Sequence, residues 1–253
     1  MNGVKAGIIG IGNMGSAHLR MITGGDIPDM TVTAVCDIDT KKLNAARNTY
    51  PALSVFEDYT DLLKNSDTNA VIIAVPHPLH AKIAIEAFKY GKHVLVEKPL
   101  DITVSAAEDL CAAAEKSGKV FAIMFNQRTN GLFRKARKIV KSGELGKIKR
   151  SVWIITNWYR TQSYYDSGSW RATWAGEGGG VLLNQAPHNL DIWQWICGSP
   201  SAVTAFCSVG KFHNIEVEDE ATIYAEYENG ATGVFITSTG DCPGTNRLEI
   251  TGT

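Results

Sequence analysis

Apolar and polar positions change period along the chain. Near the N-terminus "VKAGIIG" is an almost unbroken apolar run, followed by a glycine cluster and then by helical spacing through "NMGSAH". Three more apolar runs, "MTVTAVCD", "AVIIAV" (residues 70 to 75) and "KHVLVE", are short and rich in β-branched residues, as strands buried on both faces are. Helical stretches separate them: "LHAKIAIEAFKY", stopped by Gly91, and a segment from about Thr103 to Ser117 with Gly118 just past its end. "VFAIMF" then reads as the sixth strand. Strands alternating with helices predict a doubly wound parallel sheet, an N-terminal Rossmann-type domain over residues 1–125.

The pattern differs over residues 126–253. "NGLFRKARKIVKSGELG" is a basic amphipathic helix ending near Gly143, a connecting surface helix. "KIKRSVWIIT", "SAVTAFCSVGKF", "EATIYAEYENGATGVFITST" and "NRLEIT" alternate as strands, with Asn229-Gly230 marking a tight hairpin. The expectation is a C-terminal α/β domain with a large open, mainly antiparallel sheet, one exposed face of which suits a subunit interface. A helix is expected from the glycines at 178–180 to Gly198, kinked by Pro187 inside it. The last strand is followed by no closing element, which points to a chain trimmed at its C-terminal end.

Composition narrows the function classes. The 253 residues are 44% hydrophobic and 20% charged with net charge −1, so neither nucleic acid nor an anionic membrane is an expected partner. No run approaches the ~20 apolar residues of a membrane span. Five scattered cysteines without ligand spacing fit a reduced, cytoplasmic setting and no metal site.

Candidate chemistry begins at Gly10, Gly12 and Gly15, which fit G-x-G-x-x-G after a strand and before a helix. The first permits the turn, the second lets a pyrophosphate approach, and the third lets helix and strand pack. With Asn13 and Met14 they form the candidate phosphate cradle at a helix N-terminus. Asp37 closes the next strand, where a carboxylate accepts from ribose hydroxyls and repels a 2′-phosphate, so NAD is expected over NADP. Ligands in such sheets lie over the carboxyl ends of strands, which picks out Pro76, His77, His80, Glu97, Lys98, Asn126 and Arg128. Pro76, His80, Glu97 and Lys98 are expected at the cofactor, and Lys98 can also polarise a substrate hydroxyl.

All six tryptophans lie between residues 153 and 195, and the segment "NWYRTQSYYDSGSWRATWAGEGGG" is too long for a plain connection. Trp158, Tyr159, Arg160, Trp170 and Arg171, together with Arg128, suit a polyhydroxylated ligand, stacking on its C–H faces and bonding its hydroxyls. In "NQAPHNLD" the residues Asn184, His188 and Asp191 fall at spacings of four and three, one face of a helix. Asn184 and His188 are therefore candidates for both substrate binding and catalysis.

Together "GIIGIGNMG", "EKP" and "GGGVLLNQAPHNLD" resemble the glucose–fructose oxidoreductase / inositol dehydrogenase (Gfo/Idh/MocA) family over essentially the whole chain. The resemblance implies a nicotinamide cofactor, a cis Lys98–Pro99 bond, and action on a sugar or cyclitol hydroxyl. It also implies that Lys98 polarises the substrate oxygen and that His188 exchanges its proton. Members carry Asp-x-x-x-His, whereas this chain has Asn184, and an amide cannot balance a cationic partner. The expected function is an NAD-dependent dehydrogenase or reductase of sugars or cyclitols, working as a homodimer or homotetramer. The alternatives are a redox-neutral, NAD-dependent glycoside-cleaving enzyme and a non-enzymatic dinucleotide-binding sensor.

Overall fold

The computed structural model describes residues 3–253, which form two compact units, one ending at Met124 and the other spanning Phe125–Thr253.

In the first unit the strands are β1 (Val4–Ile9), β2 (Met30–Cys36), β3 (Ser54–Phe56), β4 (Ala70–Ile73), β5 (His93–Val96) and β6 (Phe121–Ile123). The helices are α1 (Asn13–Thr23), α2 (Thr40–Thr49), α3 (Tyr59–Asn65), α4 (His80–Lys89) and α5 (Val104–Ser117). The strands pair in the order β3-β2-β1-β4-β5-β6, all parallel. Ile8, Val71, Ile73 and Val96 are fully buried, which explains why these strands read as apolar runs rather than alternations. Helix boundaries follow local chemistry. Thr103 caps α5 by accepting from the Ala106 N–H, and Gly118 ends it at φ 64°, a conformation that favours glycine. Strand order reverses between β1 and β4, where doubly wound sheets open a ligand crevice at their carboxyl edge.

The second unit holds α6 (Gly131–Ser142), β7 (Arg150–Ile155), α7 (Gln162–Tyr165), α8 (Pro187–Cys197), β8 (Ala202–Val209), β9 (Glu218–Glu226), β10 (Thr232–Ser238) and β11 (Asn246–Thr251). Its sheet runs β11-β7-β10-β9-β8, with β7 and β10 parallel and the other neighbours antiparallel. The hairpin at Asn229-Gly230 joins β9 to β10, with Gly230 at φ 82°. Alternation sorts the two faces. Trp153, Phe235 and Ala225 are buried among α6 and α8 residues, with the Trp193 ring stacked on Phe235 at 5.6 Å and its Nε1–H donating to Ser151. Val152, Ile154, Val234 and Ile236 point to the other face and are only half-buried.

The helix expected from the glycines to Gly198 is corrected at its start. Residues 181–185 form turns, and α8 begins at Pro187, where a missing N–H interrupts no helical hydrogen bond. Pro187 therefore starts the helix instead of kinking it. The end at Gly198, φ 95°, is as expected. Among the described residues no helix is long and apolar enough to cross a membrane.

Trp153 is wholly buried between Phe133 and Phe235. Trp153→Ala should lower unfolding stability by about 3–5 kcal/mol, read from urea or guanidinium melts.

Candidate active site

Each glycine of the first turn does a different physical job. Gly10 sits at φ 87°, and a Cβ there would lie 2.6 Å from the Ala74 carbonyl oxygen. Gly15 packs α1 on β1 so tightly that a Cβ would fall 1.8 Å from the Gly10 oxygen. Gly12 has no atom within 4 Å of its would-be Cβ, so its face stays clear where a pyrophosphate approaches. Gly12 is also the N-cap of the eleven-residue α1 and offers no side chain to the helix's first N–H groups. Asn13 and Met14 are exposed there. This cradle fits a dinucleotide phosphate, held by backbone donors and the helix dipole.

Asp37, 8% exposed, ends β2 beside that turn. One carboxylate oxygen accepts the Ile11 N–H at 2.8 Å, and the other accepts the Asp39 N–H at 2.9 Å. Lys42 Nζ is 3.5 Å away. Asp37 thus fixes the glycine turn from the edge of β2.

Two expected cofactor ligands are placed differently. His80 is 1% exposed, with Nδ1 2.6 Å from the Pro99 carbonyl oxygen and Nε2 2.9 Å from that of Val75. It ties the segment after β4 to the one after β5 and cannot itself face a ligand. Burial pushes its ring below the ordinary 6.5, against the upward pull of the two carbonyls. Glu97 turns its carboxylate to His18 Nε2 at 2.7 Å, a contact between β5's end and α1. Pro76 is exposed, and Lys98 is half-buried at the carboxyl end of β5, with its bond to Pro99 cis as expected.

In the second unit His188 lies in the first turn of α8, half-buried, with the Phe125 ring edge-on at 6.1 Å. Asp191, one turn on, forms a bidentate pair with Arg128, Nε at 2.8 Å and Nη2 at 2.5 Å. Those bonds hold the guanidinium above its already high ordinary value. Arg128, an expected substrate ligand, is thus committed to α8. Asn126 is exposed in the same turn.

The aromatic segment is ordered around arginines. Arg160 lies over Trp158 and Tyr164, and Arg171 over Tyr164 and Trp170 at 4.6 and 4.7 Å. Arg171 also donates to the Tyr164 hydroxyl at 3.0 Å. Tyr159 is exposed, while Trp158 packs on the sheet core. Gly180 N–H donates to the Glu218 carboxylate, and a Cβ at Gly180 would lie 1.8 Å from the Glu218 carbonyl oxygen. That close approach is what the glycine run permits.

Asn184 lies in the turns before α8, its Nδ2 donating to the buried carboxylate of Glu177. Glu177, like His18, is a residue that the sequence reading passes over. The available signal was an acid set among the glycines, seven positions before Asn184.

Comparison with known proteins agrees with this geometry. Residues 4–125 match the oxidoreductase family with an NAD-binding Rossmann fold, and residues 133–253 match the GFO/IDH/MocA C-terminal domain. The chain belongs to the Gfo/Idh/MocA oxidoreductase family. Its first unit is the NAD-binding Rossmann domain of that family.

The inositol 2-dehydrogenase of Salmonella typhimurium is 36% identical over 146 residues, 57% of this chain and 43% of that protein. The levoglucosan dehydrogenase of Pseudarthrobacter phenanthrenivorans is 27% identical over 286 residues, all of this chain and 72% of the relative. The WlbA dehydrogenase of Bordetella pertussis, solved with NADH and UDP-GlcNAcA, superposes with a TM-score of 0.92 at 26% identity, covering 99% of this chain and 76% of that one. The chain therefore spans less than half of the first of these relatives and about three quarters of the other two.

His80 makes stability depend on pH in a defined sense. Its folded value lies below 6.5, so its contribution is complete above pH 6.5 and is lost as pH falls, because the unfolded ring takes up the proton first. The gap in urea midpoint between the wild type and His80→Asn should shrink between pH 7.5 and about pH 5. A constant gap would count against this account.

Proposed function

We propose that this Gfo/Idh/MocA chain is an NAD-dependent dehydrogenase or reductase of a sugar, cyclitol or sugar derivative. The observation that carries the reading is Lys98, placed at the carboxyl end of β5 in a sheet whose glycine turn and Asp37 fit NAD. Names of the relatives, inositol 2-dehydrogenase and levoglucosan dehydrogenase, support a polyol substrate class. Gly10, Gly12, Asn13, Met14, Gly15 and Asp37 hold the dinucleotide, and Pro76 and Lys98 border its reactive end.

In the oxidative direction Lys98 donates a hydrogen bond to the substrate oxygen and favours its developing negative charge. His188 takes the hydroxyl proton as general base and returns it in the reductive direction. Asn184 holds a neighbouring hydroxyl, and Trp158, Tyr159, Arg160, Trp170 and Arg171 shape the substrate side. Bound NAD supplies the acceptor for the hydride that leaves the carbinol carbon.

The test is NADH formation from a panel of free sugars, inositols and anhydrosugars, with aryl glycosides in parallel. Turnover on a free polyol is expected. Glycoside cleavage without NADH accumulation would replace this reading with the redox-neutral one. Lys98→Ala should cut kcat at least about a hundredfold while leaving NAD affinity within about threefold of the wild type.

The partner expected from the sequence, a second copy of this chain, is supported by the uncovered sheet face. Phe206 on β8 is 74% exposed and Tyr224 on β9 is 42% exposed, beside half-buried Val234 and Ile236. Such an apolar face is an association site. Phe206→Asp should shift the protein toward monomer in light scattering while NAD binding persists. The free cysteines are consistent with a reducing, cytoplasmic compartment.

A further inference from the structure

Asn184 stands where the family resemblance calls for an aspartate, and the structure puts a carboxylate against it. Glu177 is 1% exposed, and hydrogen-bond donors reach both of its oxygens. Oε2 accepts the Ala172 N–H at 2.8 Å, and Oε1 accepts from Asn184 Nδ2. Arg171 Nη1 lies 3.9 Å from Oε1. Donors on both oxygens and a nearby guanidinium are what a buried ionised carboxylate requires.

The backbone is shaped to the same end. Ala172 is at φ 53°, the left-handed region that a residue with a Cβ avoids, and it presents its N–H to Glu177. The chain folds back so that Glu177 N–H bonds the Thr173 carbonyl at 2.9 Å.

A carboxylate only accepts, so it can meet the Asn184 amide only through the NH2. That fixes the amide's orientation and turns Oδ1 the other way. We propose that Glu177 is a positioning residue that locks Asn184 with Oδ1 toward the substrate hydroxyl, so that the pair divides the work of one aspartate. Asn184 supplies the acceptor and Glu177 supplies the negative charge. The inference rests on the dehydrogenase reading for its consequence in turnover, but the lock itself is measurable without turnover.

The experiment uses the full chain in four forms: wild type, Asn184→Asp, Glu177→Ala, and Glu177→Ala combined with Asn184→Asp. The Asn184 side-chain amide signal is identified in a nitrogen–proton NMR spectrum by its disappearance in Asn184→Asp. In the wild type its two protons should be widely separated and slow to exchange with water, and both properties should collapse in Glu177→Ala. If that signal is unchanged, the lock does not exist and the proposal falls.

In turnover on the best polyol, Glu177→Ala should raise substrate KM and lower kcat/KM by about tenfold or more, with the NAD dissociation constant unchanged. The double variant, with the carboxylate moved to position 184, should recover most of that loss. An equal loss in Glu177→Ala and the double variant would show a merely structural role and overturn the proposal. No turnover by the wild type on any polyol, with the NMR lock intact, would instead remove the dehydrogenase reading and leave the Glu177–Asn184 pair standing.

Discussion

The first unit depends on how closely a helix can approach the strand before it. Between Gly10 and Gly15 there is no room for a methyl group, since a Cβ at Gly15 would sit 1.8 Å from the Gly10 oxygen. This contact sets α1 directly behind β1, so the helix N-terminus with its uncapped N–H groups lies at the carboxyl edge of the sheet. Two neighbouring contacts follow from that placement. Asp37 is fastened to the Ile11 N–H, so the neighbouring strand is held to the same turn. His18, one helical turn beyond Gly15, reaches Glu97 and ties α1 to the strand that presents Lys98.

In each unit several polar side chains are spent on holding the chain in place. His80 spans two carbonyl oxygens and joins the segments after β4 and β5, and Asp191 clamps Arg128 against α8. In the first unit such ties fix the segment that carries Lys98, and in the second they fix the turn that leads into α8. The arginines of the aromatic segment work similarly. Two guanidiniums lie over the Tyr164 ring, so stacking adds to the short α7 and the turn hydrogen bonds that order the segment.

Much of this was legible in the sequence, and for stated reasons. Parallel strands buried on both faces must be apolar throughout, so the Rossmann order could be read from run lengths and glycines. Thr103 and Gly118 marked the ends of α5 because capping is local chemistry. The strand-rich character of the second half was equally visible, because one face of its sheet is covered and alternation follows. The start of α8 was not visible. Asn184 and His188 have helical spacing, but Pro187 could either kink a helix or begin one, and spacing alone does not choose.

The sequence by itself determined the local matters: which stretches are strands, where helices stop and where the chain turns on glycine. Tertiary structure decided the partners. Nothing in the spacing says that His80 meets two backbone oxygens, that Arg128 belongs to Asp191 across 63 positions, or that a glutamate among glycines accepts from Asn184. Those contacts join segments distant in sequence or folded back on themselves, and their geometry exists only once the chain has closed around them. A polar side chain has the same composition whether it faces solvent, a ligand or another buried group. Only the fold determines which of these it meets.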